Sequence, residues 1–264
     1  MDLENPEIQM NSRSTLLTGI IMSVGLHVWA ADEAKTPPQT VVPVEPPAAA
    51  APESSSSGFL AGSPSLIVEG EGASDYVFRG VNLGTELWAA RAELVLPVGE
   101  TTFLSLGGKY LNADSYEEAQ GFAALTQNFG ALRAALGYRF YGLDAGDRNE
   151  VGLLLGTTLS GFDVSLSYFY DAEFSGHYIE LLTQREWKLF DPVSLRATAG
   201  LSASADYWYG NSGFNNALLR LDLPVSLRDW ITLTPWIGAS LPMEAIDDHE
   251  DDTLSGGVNL KLSF

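Results

Sequence analysis

The chain has 264 residues, 45% apolar and 11% aromatic, with 26 Gly and only 18% charged residues, a mix that suits Gly-rich, aromatic-rich β structure rather than an ordinary soluble domain. Its 14 basic and 34 acidic residues give a formal charge of -20, which leaves no basic footprint for a phosphate backbone and excludes nucleic acid as a partner. With no Cys, disulfides, thiolate metal sites, a thiol nucleophile and a lipidated N-terminal Cys are excluded together.

Arg13 precedes a largely apolar run from Leu16 to Val28 that closes on Val28-Trp29-Ala30-Ala31, so residues 1–31 read as a cleavable secretory signal peptide cut after Ala30. The run falls short of the roughly 20 apolar residues of a spanning helix. Asp2, Glu4 and Glu7 do not suit a positive n-region, which points to a translation start at Met10. Residues 32–63 shift to Pro, Ala and Ser, with Pro37-Pro38, Pro46-Pro47, Ala48 to Ala51 and Ser54 to Ser57. Such a segment cannot bury enough apolar surface to order itself and reads as a semi-extended periplasmic linker.

From residue 64 to residue 264 the hydrophobic period becomes two, the strand signature. Trp88, Ala90, Ala92, Leu94 and Leu96 alternate with Ala89, Arg91, Glu93 and Val95. Leu132, Ala134, Leu136, Tyr138 and Phe140 alternate with Arg133, Gly137 and Arg139, and Leu254, Val258, Leu260, Leu262 and Phe264 with Ser255, Asn259, Lys261 and Ser263. A soluble sandwich or lipocalin alternates too, but its wet face carries long charged side chains. Here the polar phase is mostly Ser, Thr, Gly and Asn with a few Arg, which suits a narrow lumen. Aromatics gather at strand ends, Trp88, Tyr110, Tyr138, Phe140, Tyr168 and Tyr170 at one rim and Phe162, Trp187 and Phe264 at the other, as membrane interfaces select.

The expected fold class is therefore all-β, a transmembrane antiparallel up-and-down β-barrel of about 12 strands. They run roughly Ser65 to Gly80, Thr85 to Leu96, Thr102 to Leu111, Ala119 to Gln127, Phe129 to Tyr141, Asn149 to Leu159, Phe162 to Tyr170, Gly176 to Leu189, Val193 to Ala203, Phe214 to Leu223, Trp230 to Leu241 and Thr253 to Phe264. Tight connections alternate with longer ones at Asn112 to Glu118, Gly142 to Asn149, Asp171 to Ser175, Ser204 to Gly213 and Pro242 to Asp252, which puts both termini in the periplasm. Two residues misfit: Arg185 falls on the lipid phase, and Pro235, inside a strand, signals a bulge or a local register error.

The stretch Ser74-Asp75-Tyr76-Val77-Phe78-Arg79-Gly80-Val81 resembles the motif near the mature N-terminus of the TorF-type porins, a Gram-negative outer-membrane family. The terminal Val258, Leu260, Leu262 and Phe264 resemble the C-terminal signal read by the outer-membrane assembly machinery. The resemblance implies an outer-membrane barrel and says little of substrate. Asn82-Leu83-Gly84 departs from the Ser-rich continuation of that motif.

Catalytic material is thin. Asp247, Asp248 and His249 could form an acid/base cluster, and His177 lies two residues from Ser175, a base beside a nucleophile with no orienting third residue. Asp247 to Asp252 lacks EF-hand spacing, though it could bridge lipopolysaccharide through divalent ions. The chain calls for no cofactor, no metal and no catalysis; its partners are outer-membrane lipid and lipopolysaccharide. The expected pore lining is Arg91, Glu93, Lys109, Arg133, Arg139, Glu180, Arg196, Arg220 and Lys261. Its basic excess favours anions if the lumen conducts; if these charges pair across the lumen, they plug it. A non-conducting surface or scaffold barrel that binds a partner through its loops or linker is the reading from another class.

Overall fold

Alternation of apolar and polar residues commits a segment to an extended chain whose two faces meet different surroundings. In the computed structural model, which describes residues 63–114, 116–143 and 146–264, these segments become β1 (Ser65–Phe78), β2 (Val81–Pro97), β3 (Thr102–Ala113), β4 (Tyr116–Phe129), β5 (Leu132–Leu143), β6 (Arg148–Leu159), β7 (Phe162–Asp171), β8 (Gly176–Phe190), β9 (Val193–Trp208), β10 (Asn211–Asp222), β11 (Val225–Arg228), β12 (Ile231–Pro242) and β13 (Thr253–Ser263). The expected signal peptide and linker lie outside the described residues.

Each strand pairs antiparallel with its neighbour, and β13 returns to β1 with Lys261 opposite Glu69, which closes the sheet. Strands β10 and β11 share one lane beside β12, since Asp222 opposite Trp236 and Val225 opposite Leu233 keep a single register. The barrel therefore has twelve staves. Closure pairs the sheet edges, which is what lets a β structure span lipid. Leu66 and Phe264 exchange backbone hydrogen bonds of 3.0 and 2.9 Å and mark the terminal end; the β1–β2 turn and the β12–β13 loop lie at the far end.

The phases separate as the alternation requires. Trp88, Leu94, Leu132, Leu136, Tyr138, Leu166, Leu219 and Leu260 are exposed on the outer face, while Arg91, Glu93, Arg139, Glu150 and Asp222 are buried on the inner one. Aromatic pairs sit at both rims: Trp88 lies 5.1 Å from Tyr110 at the far end and Trp230 5.7 Å from Phe264 at the terminal end. Arg185 is outward-facing and lies over the rings of Phe162 (4.9 Å) and Trp187 (5.5 Å), near the terminal rim, where a lipid-face charge costs about 0 to 1 kcal/mol rather than the 2 to 4 kcal/mol of the midplane.

Three expectations need correction. The first turn is at Arg79–Gly80, not at residues 81–84, which belong to β2. Most of the long loops are short, because the ladders continue past the apolar belt: β9 runs to Trp208 and turns back through Tyr209 and Gly210, and of the five connections only the one between Pro242 and Thr253 is extended. At Pro235 the β12–β13 register is unbroken, with Pro235 opposite Val258. Its missing N–H instead faces the tenth stave, which is interrupted there at Leu223-Pro224 and bridged by Leu223 N–H donating to the Pro235 carbonyl at 2.9 Å. A bulge does occur, between Phe214 and Ala217 against β9.

Leu136→Arg puts a charge on the exposed outer phase near the middle of β5 and should cost about 2 to 4 kcal/mol if that phase meets lipid at mid-depth, whereas Leu132, beside the terminal-end turn, should tolerate the same change at lower cost. Denaturant titration of the folded, heat-modifiable band should show that loss; unchanged stability would place Leu136 elsewhere.

Candidate functional site

The first hairpin does not stop at the barrel wall. Between Tyr76 and Val77 the β1–β2 register slips by one residue, Leu83 being the extra residue on β2, and at this end of β1 Tyr76 and Phe78 are both buried. Arg79 and Gly80 then close a two-residue turn with φ of 46° and 88°. Positive φ at both central residues is the type I′ requirement, natural for Gly but strained for an arginine by about 1 to 3 kcal/mol. A Cβ on Gly80 would lie 2.7 Å from Ile246 Cδ1 and 2.8 Å from Asn216 Cβ, so glycine is required there by space as well as by backbone.

The strained arginine reaches the opposite wall. Its Nη1 and Nη2 donate to Glu150 Oε1 (2.7 Å) and Oε2 (3.2 Å), and Nη1 also donates to the Tyr207 hydroxyl. Tyr207 Oη and Tyr141 Oη donate to the two Glu150 oxygens at 2.9 and 3.0 Å. The guanidinium carbon lies 4.3 Å from the ring centres of Phe169 and Tyr178 and 4.8 Å from that of Tyr207. These side chains come from β5 to β9, on the wall facing β1 and β2, so the tip spans the lumen. Side-chain exposure is 3% for Arg79 and 1% for Glu150; a pair so desolvated holds because the two charges meet through both Nη atoms and both carboxylate oxygens, with only Arg79 Nε left without a partner.

Neighbouring elements are shaped to receive the tip. The β10 bulge turns two consecutive residues inward: Asn215 Nδ2 donates to the Arg79 carbonyl at 2.5 Å, and Asn216 is bonded to Ser202 and Ser240. Gly152 leaves room for the Phe169 ring, which a Cβ would strike at 2.7 Å. The β12–β13 loop folds inward, with Ala245 and Ile246 fully buried in the same apolar cluster as Phe78, Val81, Leu83 and Trp208. Glu250 on that loop accepts from the Asn82 N–H (3.0 Å) and the Tyr209 hydroxyl (2.6 Å); burial and this carboxylate push the Tyr209 phenol above its ordinary range, so it remains the donor. Far-end ion pairing continues in Arg148 with Asp171.

The predicted lining residues occupy levels below the tip. Arg91 pairs with Glu93 (2.5 Å) and Glu69 (3.2 Å), and Arg139 donates to Gln120 at 3.3 Å. The Phe122 ring lies between their guanidiniums, 5.1 Å from Arg91 and 5.7 Å from Arg139. Lys109 stands 5.9 Å from the Tyr76 ring, and Glu180 accepts from Tyr178 at 3.4 Å. Nearer the terminal end, Arg133 packs against Gly156, Arg220 pairs with Asp222 (2.9 Å) over Trp236, and Lys261 sits between Glu69 and Thr232 in register. Arg196 and Glu186 pair at 3.2 Å with 34% and 45% of their side chains exposed, so water reaches this level. The basic residues are thus spread over several depths, many beside a carboxylate or a ring, instead of forming one basic ring.

Sequence reasoning passed over Arg79 as a site residue, and Glu150, Tyr207, Phe169, Asn215 and Asn216 altogether. The available signal was the Arg-Gly pair between two apolar runs, a turn dipeptide. The chemical candidates are not assembled. His177 faces outward, its Nδ1 2.8 Å from the Tyr168 hydroxyl and its ring 5.2 Å from Tyr170, while Ser175 lies in the β7–β8 turn. His249 stacks on Tyr209 at 4.1 Å. Among the described residues no group of three or more His, Asp or Glu side chains is placed to hold a metal ion.

Glu150→Gln leaves the Arg79 charge buried without its counter-charge, a loss of about 3 to 5 kcal/mol. The population of expelled tips should rise at least about a hundredfold, so trypsin should cut after Arg79 in the folded variant and spare the parent; equal protection would mean that Glu150 does not hold the tip.

No protein-family model matches the sequence, and no curated protein matches it. Among solved structures, an outer-membrane channel from Pseudomonas putida F1 is similar with a TM-score of 0.52 at 9% identity, over 78% of this chain and 97% of that one. The NanC porin gives 0.50 at 13% identity, over 75% and 98%. At such identities the likeness concerns fold alone: the chain shares the closed antiparallel β-barrel of these outer-membrane proteins.

Proposed function

We propose that the chain is a narrow outer-membrane channel of the TorF type for small solutes or ions, closed at rest by its first hairpin and conducting when the tip withdraws. The observation that carries this reading is the Arg79 tip held across the lumen on a strained turn. A permanent wall has no need of strain, whereas a movable element does well with it, because withdrawal releases the turn energy and offsets part of the lost contacts. The water-reached level around Arg196 and Glu186, open toward the terminal end, supplies an approach to the closed mouth. With the termini in the periplasm, the seal faces outward. Transport rather than catalysis suits the site, since its polar groups are spent on one another.

The same seal also supports a second reading, a non-conducting barrel that presents its far-end loops to a partner. Planar-bilayer recording separates the two. The parent should stay mostly closed, and a variant in which Asn-Gly replaces Phe78 through Val81 should show frequent, long openings. Adding Arg133→Glu to that variant should shift its ion preference toward cations, since it reverses a charge in a narrow path. No current from a shortened-tip variant that still migrates as a folded barrel would rule out the channel.

A further inference from the structure

On the outer wall, away from the lumen, two adjacent rows of outward residues cross the staves. In one row Arg185, Ala197, Leu221 and Ile237 are paired in sequence; in the other Thr183, Ala199, Leu219, Ala239 and Leu254. Small side chains at Thr183, Ala197, Ala199 and Ala239 make a floor between the larger Leu219, Leu221, Ile237, Leu254 and Trp187. The result is a groove of about 450 Å³ on an otherwise leucine-rich face, within the size range of small-molecule sites.

One end of this groove carries a charge. Arg185 faces outward, five positions before the terminal-end residue Phe190 of β8, and its described contacts are the rings of Phe162 and Trp187. Those rings hold the guanidinium without using its N–H donors, which remain available to an acceptor. An arginine cannot shed its charge at this depth, and Trp187 sets the level at the interface, where lipid phosphates lie. Apolar packing alone gives little preference for one lipid tail over another in a bilayer, so selectivity must come from the charged end.

We infer that this groove is a binding site for one anionic glycerophospholipid of the terminal-side leaflet, its phosphate on Arg185 and an acyl chain along the floor of Thr183, Ala197, Ala199 and Ala239. Charge complementarity selects the occupant. The chain as a whole is strongly acidic and repels anionic headgroups elsewhere on its surface; Arg185 offers a fork-shaped donor to a phosphate, and an anionic headgroup adds no competing ammonium. The site does not depend on whether the lumen conducts.

Native mass spectrometry of the full chain in detergent, with phosphatidylglycerol or phosphatidylethanolamine added, tests this, the heat-modifiable band confirming that each variant is assembled. The parent should retain one phosphatidylglycerol at about tenfold lower lipid concentration than phosphatidylethanolamine. Arg185→Gln should abolish that preference and Arg185→Lys restore part of it, while Ala199→Phe, which fills the floor and leaves Arg185 in place, should abolish the adduct. Should Ala199→Phe fail to assemble, Arg185→Gln against the parent decides alone. Equal retention of the two lipids by the parent, or retention unaffected by Arg185→Gln, overturns the proposal. So does a detergent-stable dimer lost in Ala199→Phe, which would give the groove to a second copy.

Discussion

The pairing of Arg79 with Glu150 organises the far half of the barrel. A permanent positive charge in a desolvated lumen needs a counter-charge, and Glu150 supplies it with both oxygens while Tyr207 and Tyr141 complete that carboxylate. Each partner would be expensive alone. Because the two reside on opposite walls, satisfying them fixes the hairpin across the barrel, and much of the surrounding packing can be read as support for that placement.

That support is distributed through elements remote in sequence. The slip after Tyr76 sets Leu83 as an extra residue in β2, and beyond it Phe78 meets Trp208, the two rings edge to face at 5.7 Å. The β10 bulge supplies the Asn215 amide to the Arg79 carbonyl, a backbone group that the turn would otherwise leave unpaired in the interior. The β12–β13 loop sends Ile246 beneath Gly80 and Glu250 to the Asn82 N–H. Three departures from regular β geometry, a slip, a bulge and an inward loop, thus converge on one turn. Departures of this kind are over-represented beside functional sites.

The membrane-facing half of the structure was legible in the sequence because lipid imposes a simple rule on it. Leu132 and Arg133 could be assigned to opposite faces from alternation alone, and the closing strand from Val258 to Phe264 likewise. Pro235 was correctly seen as disruptive, yet its effect fell on the neighbouring stave, because a missing N–H matters only on the side where the residue would have donated. The far-end site was hidden for a different reason. Phe78 falls by strict alternation on the outer phase of Leu66 and Val68 yet is buried inside, and Val81 and Leu83, on the inner phase of Arg91 and Glu93, give no sign of the turn they pack around, because a one-residue shift leaves composition and apparent periodicity almost untouched. Glu150, Tyr207 and Asn215 each sit on unremarkable polar phases, and only long-range pairing brings them to Arg79. The long-loop reading of Ser204 to Gly213 failed because β9 keeps its ladder beyond the lipid belt, where Tyr207 and Trp208 pack inward instead of outward.

The central claim is that Arg79 and Glu150 act as one latch on the lumen. A double-mutant cycle read in open probability tests it most directly, using Arg79→Met, Glu150→Gln and the pair together, each recorded in planar bilayers from protein shown to be folded. Groups that act only through each other are non-additive. The latch predicts that each single variant opens the barrel and that the double variant opens no further than either single one. Effects that simply add, or single variants as closed as the parent, would contradict it.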